Sequence, residues 1–284
     1  MPTKVVLVGE VEEGVSKAIE SRAIELAYVP IPTRFHDWLQ QFVSHGLARE
    51  VGSYIEVSRE VLARDWELEE SSKPYIIASS YASRLGILAS ATIPGFLTLA
   101  SIASYGGRKL IENPHRASAL IPFASSIAAK ISRLELGKVV MWETPTCSLC
   151  GELGSKYGYS RWLIIEGINY IVSEASSDLC IYVGPCTNPY AYRALMEAGV
   201  KCIGVKGAKA LSVLLAEVGE EGMNELEILV EIREEQSGIV SKVPSSLTPC
   251  LEVSLSDEPS SILKKVSKVR REVFKLVERS LTSA

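Results

Sequence analysis

Apolar positions along this chain fall into short continuous runs, and the stretches between them carry helical spacing. Lys4–Val8 is one such run, and Glu13–Arg22 then places Val15, Ala18 and Ile19 three and four residues apart, as on one helix face. Ala23–Ile31 returns to extended apolar sequence that stops at Pro30 and Pro32. Strand, helix and strand within about 30 residues is the size of one parallel β-α-β unit. A helix over Phe35–Ser44, an edge strand over Ser53–Val57, a surface loop over Asp65–Lys73, a strand over Tyr75–Ser79 and a helix over Ser118–Leu134 extend the pattern. The most apolar stretch, Leu85–Ala103, approaches the length of a membrane span. Pro94 and Gly95 interrupt it, so it predicts two short buried helices instead.

Past Gly137 the alternation sharpens. Strands are predicted at Lys138–Trp142, Asp178–Val183, Val200–Val205 and Leu226–Ile232. Helices are predicted at Arg161–Glu174, Tyr190–Ala198, Ala208–Val218 and Ser261–Leu281. The fold class that follows is α/β: doubly wound, mostly parallel sheets in two Rossmann-like halves, residues 1–137 and 138–284. Ligands of such sheets bind beyond the carboxyl ends of the strands.

Composition changes the picture in three ways. Thirty basic and 34 acidic residues give a net charge of −4, which offers nucleic acid no whole-chain attraction. No secretory segment or membrane span is predicted, so the expected setting is the reducing cytoplasm. The six cysteines are therefore expected to be free thiols rather than a disulfide framework. An oligomer is compatible with all of this.

Cys180 and Cys202 lie inside apolar strand patterns and are expected in the core. Cys147, Cys150, Cys186 and Cys250 differ, because each sits after a strand or in a proline-containing segment: ETPTCSLCG, VGPCTNP and SLTPCLE. Thiols gathered at one sheet edge can hold an iron–sulfur cluster or zinc, or one can act as a nucleophile. Cys186 suits the last role, since a helix beginning near Pro189 would aim its amides at it. Glu143, beside the cysteine loop, is a candidate acid or base, or a solvated loop residue. His115, with Arg116 and Arg108, is a candidate contact for an anionic ligand. No phosphate-loop sequence and no paired-histidine metal motif is present.

The order Cys147-Ser148-Leu149, Pro185-Cys186 and Pro249-Cys250-Leu251 resembles an archaeal cysteine-motif family that carries a thymidylate-synthase-like label. In that family a C-S-L, a P-C-G before a helix and a late Y-P-C-L follow one another. Thr187 replaces the glycine here, the histidine before the last motif is absent, the interval from Cys186 to Cys250 is long, and Cys150 is extra. The resemblance implies that Cys147, Cys186 and Cys250 form a shared set, whose three thiolates would leave one iron of a 4Fe–4S cluster open to substrate. The leading expectation is thus an iron–sulfur enzyme acting on a small anionic substrate in a cleft between the halves. A cluster-free transferase with a cysteine nucleophile for a pyrimidine nucleotide, and a zinc-stabilised non-enzymatic binding protein, are the alternatives.

Overall fold

Eight apolar runs become strands that pair side by side in chain order: β1 (Val6–Gly9), β2 (Val29–Pro30), β3 (Ala89–Pro94), β4 (Lys138–Trp142), β5 (Leu179–Tyr182), β6 (Cys202–Lys206), β7 (Glu227–Glu231) and β8 (Leu247–Val253). All of these pairings are parallel. The computed structural model describes residues 4–22, 25–175, 179–222, 225–232 and 247–282. Ala23 and Asp178, which open two of the predicted strands, lie outside the described residues. β8 pairs back onto β1, from Val6 opposite Cys250 to Gly9 opposite Val253. The remaining seam closes at Val5, whose N–H donates to the Leu26 carbonyl (2.9 Å) and whose carbonyl accepts from Tyr28 (3.1 Å). The sheet therefore curls into an eight-stranded barrel.

Seven of the strands are followed by helices that cover the outside: α1 (Glu13–Arg22), α2 (Lys73–Leu85), α3 (Ile121–Ser132), α4 (Arg161–Glu174), α5 (Pro189–Glu197), α6 (Ala208–Gly222) and α7 (Pro259–Thr282). Their order is that of a (β/α)8 barrel. α4 shows how the sequence builds one. The Ser160 hydroxyl accepts from the Leu163 N–H at its start, and Ile164, Ile165, Ile168 and Ile171 turn one stripe to the sheet. Burying each isoleucine contributes about 1.5–3 kcal/mol. Gly167 sits on the same stripe because a Cβ there would come within 3.0 Å of the Phe96 ring.

The expected α/β class with its mostly parallel sheet is borne out. Strands on either side of Gly137 share that sheet, with β3 and β4 in register from Ser90–Lys138 to Pro94–Trp142. Two local expectations are corrected. Tyr75–Ser79 is helical, inside α2, where Pro74 stands in the first turn and supplies a fixed φ. Leu85–Ala103 is a strand (β3) followed by a short helix, Phe96–Ile102, rather than two helices. Among the described residues no helix is long and apolar enough to cross a membrane. The strand expected at an edge over Ser53–Val57 is present as Tyr54–Val57, but it lies between Ala48–Val51 and Ala103–Tyr105 rather than at an edge. It belongs to a separate small sheet with Ala48–Val51, Ala103–Tyr105 and Arg108–Lys109.

The core has two compartments. A large one lies between sheet and helices. A small one fills the barrel lumen with Val6, Val8, Val140, Cys180, Tyr182, Cys202, Leu229 and Cys250, against which Tyr28 and Trp142 pack. Successive strand residues point to opposite faces, so alternate positions supply these two compartments.

Candidate active centre in the barrel mouth

Strand alternation places polar side chains at the carboxyl end of the lumen. β5 runs Cys180-x-Tyr182, β6 runs Cys202-x-Gly204-x-Lys206, β7 runs Glu227-x-Leu229-x-Glu231, and β8 runs Thr248-x-Cys250-x-Glu252. Each ends on a proton-bearing or charged group. The Tyr182 hydroxyl donates to Glu252 Oε2 at 2.9 Å, and Lys206 Nζ lies 3.0 Å from Glu252 Oε1. Glu231 is 1% exposed, and its Oε2 accepts from the Glu252 backbone N–H at 2.5 Å. Trp142 packs on Tyr182 with ring centroids 4.8 Å apart. Gly204 makes this possible, because a Cβ there would stand 2.6 Å from Tyr182 Cδ2.

Glu231 and the Lys206–Glu252 pair thus meet at this end of the lumen, where low-dielectric walls strengthen their interactions. Burial holds the Tyr182 phenol well above its ordinary range, and Cys250, Glu252 and Glu231 add to the effect. Burial likewise pushes the Cys250 thiol up, reinforced by Glu231 and Glu252 and opposed by Lys206. Tyr182 and Cys250 are therefore neutral proton carriers at neutral pH, while Lys206 and Glu252 form a half-exposed ion pair.

The opposite, amino end of the lumen holds a different set. Cys180 and Cys202 are disulfide-bonded across β5 and β6, with Cα atoms 4.5 Å apart. A Glu227 oxygen lies within 4.8 Å of both sulfurs, and among the described residues this is the one group of three or more metal-ligating side chains so close together. Glu227 also pairs with Lys138 at 2.5 Å and accepts from Thr248.

The sequence-predicted residues are distributed differently from expectation. Cys147 lies in a one-turn helix, Pro145–Leu149, and is disulfide-bonded to Cys186 with Cα atoms 5.5 Å apart. The loops after β4 and β5 are neighbours, which brings the two together. Cys150 is a half-buried free thiol pushed up to about 11, by burial and against Arg161. Cys250 lies within β8 rather than on a loop, fully buried, with Pro249 paired in register to Val230. Cys147, Cys150 and Cys186 belong with the outer core and Cys250 with the lumen, so the expected convergence of Cys147, Cys186 and Cys250 is corrected. The expectation of six free thiols is corrected as well, since four of them are paired. Cys186, the expected nucleophile, is 1% exposed and its sulfur is bonded to Cys147.

Glu143 is neither solvated nor placed in the lumen. Trp142 points inward, so its neighbour points out, and the Glu143 carboxylate takes the N–H groups of Leu97 (2.9 Å) and Thr98 (3.0 Å) and the Thr98 hydroxyl. It caps the helix Phe96–Ile102, and Gly95 leaves it room. Burial raises its pKa from 4.5 to about 7, against the lowering by those donors. The folded state thus keeps a proton that the unfolded chain releases between 4.5 and about 7. The stability held by this group is complete at acid pH and is lost as pH rises through about 7, by about 3 kcal/mol. Urea unfolding of wild type and Glu143→Gln across that range should show wild type losing this amount relative to the variant. Parallel curves would contradict the assignment.

No motif singles out Tyr182, Lys206, Glu231 and Glu252, because each lies at or near the end of a strand that is otherwise apolar. The usable signal was the period of two: polar residues at every second position of a buried strand mark an inward face.

No protein-family model and no curated protein matches the sequence. Solved structures do match. A Listeria monocytogenes protein named for vitamin-B12-independent methionine synthase superposes with a TM-score of 0.53 at 11% identity, covering 96% of this chain and 94% of that one. A B12-independent methionine synthase from Shewanella sp. W3-18-1, solved with selenomethionine, gives 0.52 at 10% identity over 84% and 79%. At these identities the likeness is one of fold.

Proposed function

We propose that this chain is an enzyme whose active centre is the carboxyl-end mouth of the barrel, where it moves protons on a small polar substrate. The observation that carries this reading is the meeting of Tyr182, Lys206, Glu231 and Glu252 from four consecutive strands. In (β/α)8 barrels that end is where chemistry is assembled, while the other end serves stability. Lys206 offers a cation to a carboxylate or enolate oxygen of the substrate. Glu252, released from Lys206 when substrate arrives, is the base, and Tyr182 is the neutral acid that returns a proton. Trp142 supplies an apolar wall. Proton removal beside a carbonyl, as in a lyase or isomerase, fits these roles. A panel of small organic acids screened by thermal shift tests it. Compounds that stabilise wild type should fail to stabilise Lys206→Met, and hits that stabilise both equally would contradict the reading.

A second reading rests on the other end of the lumen. Once the Cys180–Cys202 disulfide is reduced, two thiolates and the Glu227 carboxylate suit a borderline-soft ion such as zinc and leave a coordination position open. A bound ion would supply a Lewis acid. Lys138 and Thr248 would orient Glu227. The reduced chain should take up cobalt(II) with thiolate-to-metal absorption that Cys202→Ser abolishes. No uptake, or uptake that survives the substitution, excludes the site.

A further inference from the structure

We propose a second binding site, for a phosphate-bearing small molecule, in a cavity of about 280 Å³ lined by Arg108, Lys109, Glu112, Asn113, Arg116 and Tyr157. It goes beyond the barrel-mouth reading and does not depend on it. The segments that build it leave the carboxyl ends of β3 and β4: Arg108–Lys109 and the turn before Pro114–Ser118 on one side, the end of the helix Glu152–Tyr157 on the other.

Three cations line this space against one carboxylate, and among the described residues none of the three has an acidic partner within salt-bridge distance. What holds two of them is aromatic. The Arg116 guanidinium lies 4.9 Å from the Tyr105 ring centroid, with Nη1 3.5 Å from the Tyr105 carbonyl, and Lys109 Nζ lies 4.7 Å from the Tyr54 ring. Cation–π contacts fix the position of a charge without neutralising it. The small sheet sets the spacing, because Arg108 pairs with Tyr105 and Lys109 with Ser104. Asn113 accepts from the Arg116 N–H and pins the turn between them.

Positive charge in excess of the one lining carboxylate, with two of its three groups held on aromatic rings in a concavity, is arranged for an anion. Two guanidinium forks favour the several acceptor oxygens of a phosphate over the single pair of a carboxylate. The volume suits a phosphoryl group with a small organic remainder, which Tyr157 can face. His115, in the ENPHR segment singled out from the sequence, is exposed and is not among the lining residues; Arg108 and Arg116 are.

Isothermal titration of the full chain with inorganic phosphate and with phenyl phosphate, at low ionic strength, tests the proposal. Saturable binding is expected. Arg108→Ala, an exposed position whose loss leaves the fold intact, should weaken it about tenfold or more, as loss of a charge-assisted partner does. Arg116→Lys keeps the charge, removes the fork and should fall in between. Lys206→Met, in the barrel mouth, should bind phosphate as wild type does. Absence of saturable binding, equal affinity in Arg108→Ala, or loss of binding in Lys206→Met would overturn the proposal, and the last would place the phosphate in the barrel instead.

Discussion

Gly9→Ala should destabilise the chain by about 4 kcal/mol, a large share of the 5–15 kcal/mol typical of a folded domain. Gly9 ends β1 at φ +120°, a region closed to residues with a Cβ, and an added Cβ would stand 2.2 Å from the Val253 carbonyl oxygen. That oxygen belongs to the β1–β8 seam, and the Gly9 N–H also reaches the Thr92 hydroxyl on β3 at 3.2 Å. The overlap is with backbone, so no side chain can rotate away, and relief requires opening the barrel where its first and last strands meet. Gly46→Ala is the comparison. It too has positive φ, +69°, but nothing lies within 4 Å of its added Cβ. Backbone strain alone should cost it about 1 kcal/mol. Urea unfolding of the two variants separates the terms, and equal losses would mean that the β1–β8 seam is not closed as described.

Local structure was largely legible where one rule governed it. Phe35–Ser44, Lys138–Trp142 and Arg161–Glu174 have the bounds that periodicity assigns them, and β6 and β7 are displaced by at most two residues. β3 was hidden for a physical reason. A strand buried on both faces has no alternation, so Ala89–Pro94 merges with the apolar helix after it. Closure was not legible either. It depends on a two-residue β2 and the Val5 hydrogen bonds, and no local signal encodes a pairing made across that distance. The cysteines misled in a related way. Proline beside Cys250 suggested a loop, whereas Pro249 lies inside a strand. Cys147 and Cys186 were rightly placed at one edge, yet they pair with each other and not with Cys250. Glu143 is near those thiols in sequence, but the helix it caps accounts for its burial.

Glu252→Gln should lower kcat/KM by about 100-fold to 1000-fold, about 3–4 kcal/mol of transition-state stabilisation, with little change in stability. Glutamine keeps the shape and an acceptor oxygen for the Tyr182 hydroxyl. It cannot take a proton, and it leaves Lys206 without its counter-charge. Glu217→Gln, which loosens a surface pair with Arg193 on the helical shell, is the matched control. Its kcat/KM should stay within about threefold of wild type. The most direct measurement is therefore the ratio of kcat/KM between Glu252→Gln and Glu217→Gln, taken on whichever small acid the screen identifies. A ratio near 0.01 or below, with both variants folded, is the predicted result. A ratio near one would contradict it, and with it the proposal that the barrel mouth is an active centre.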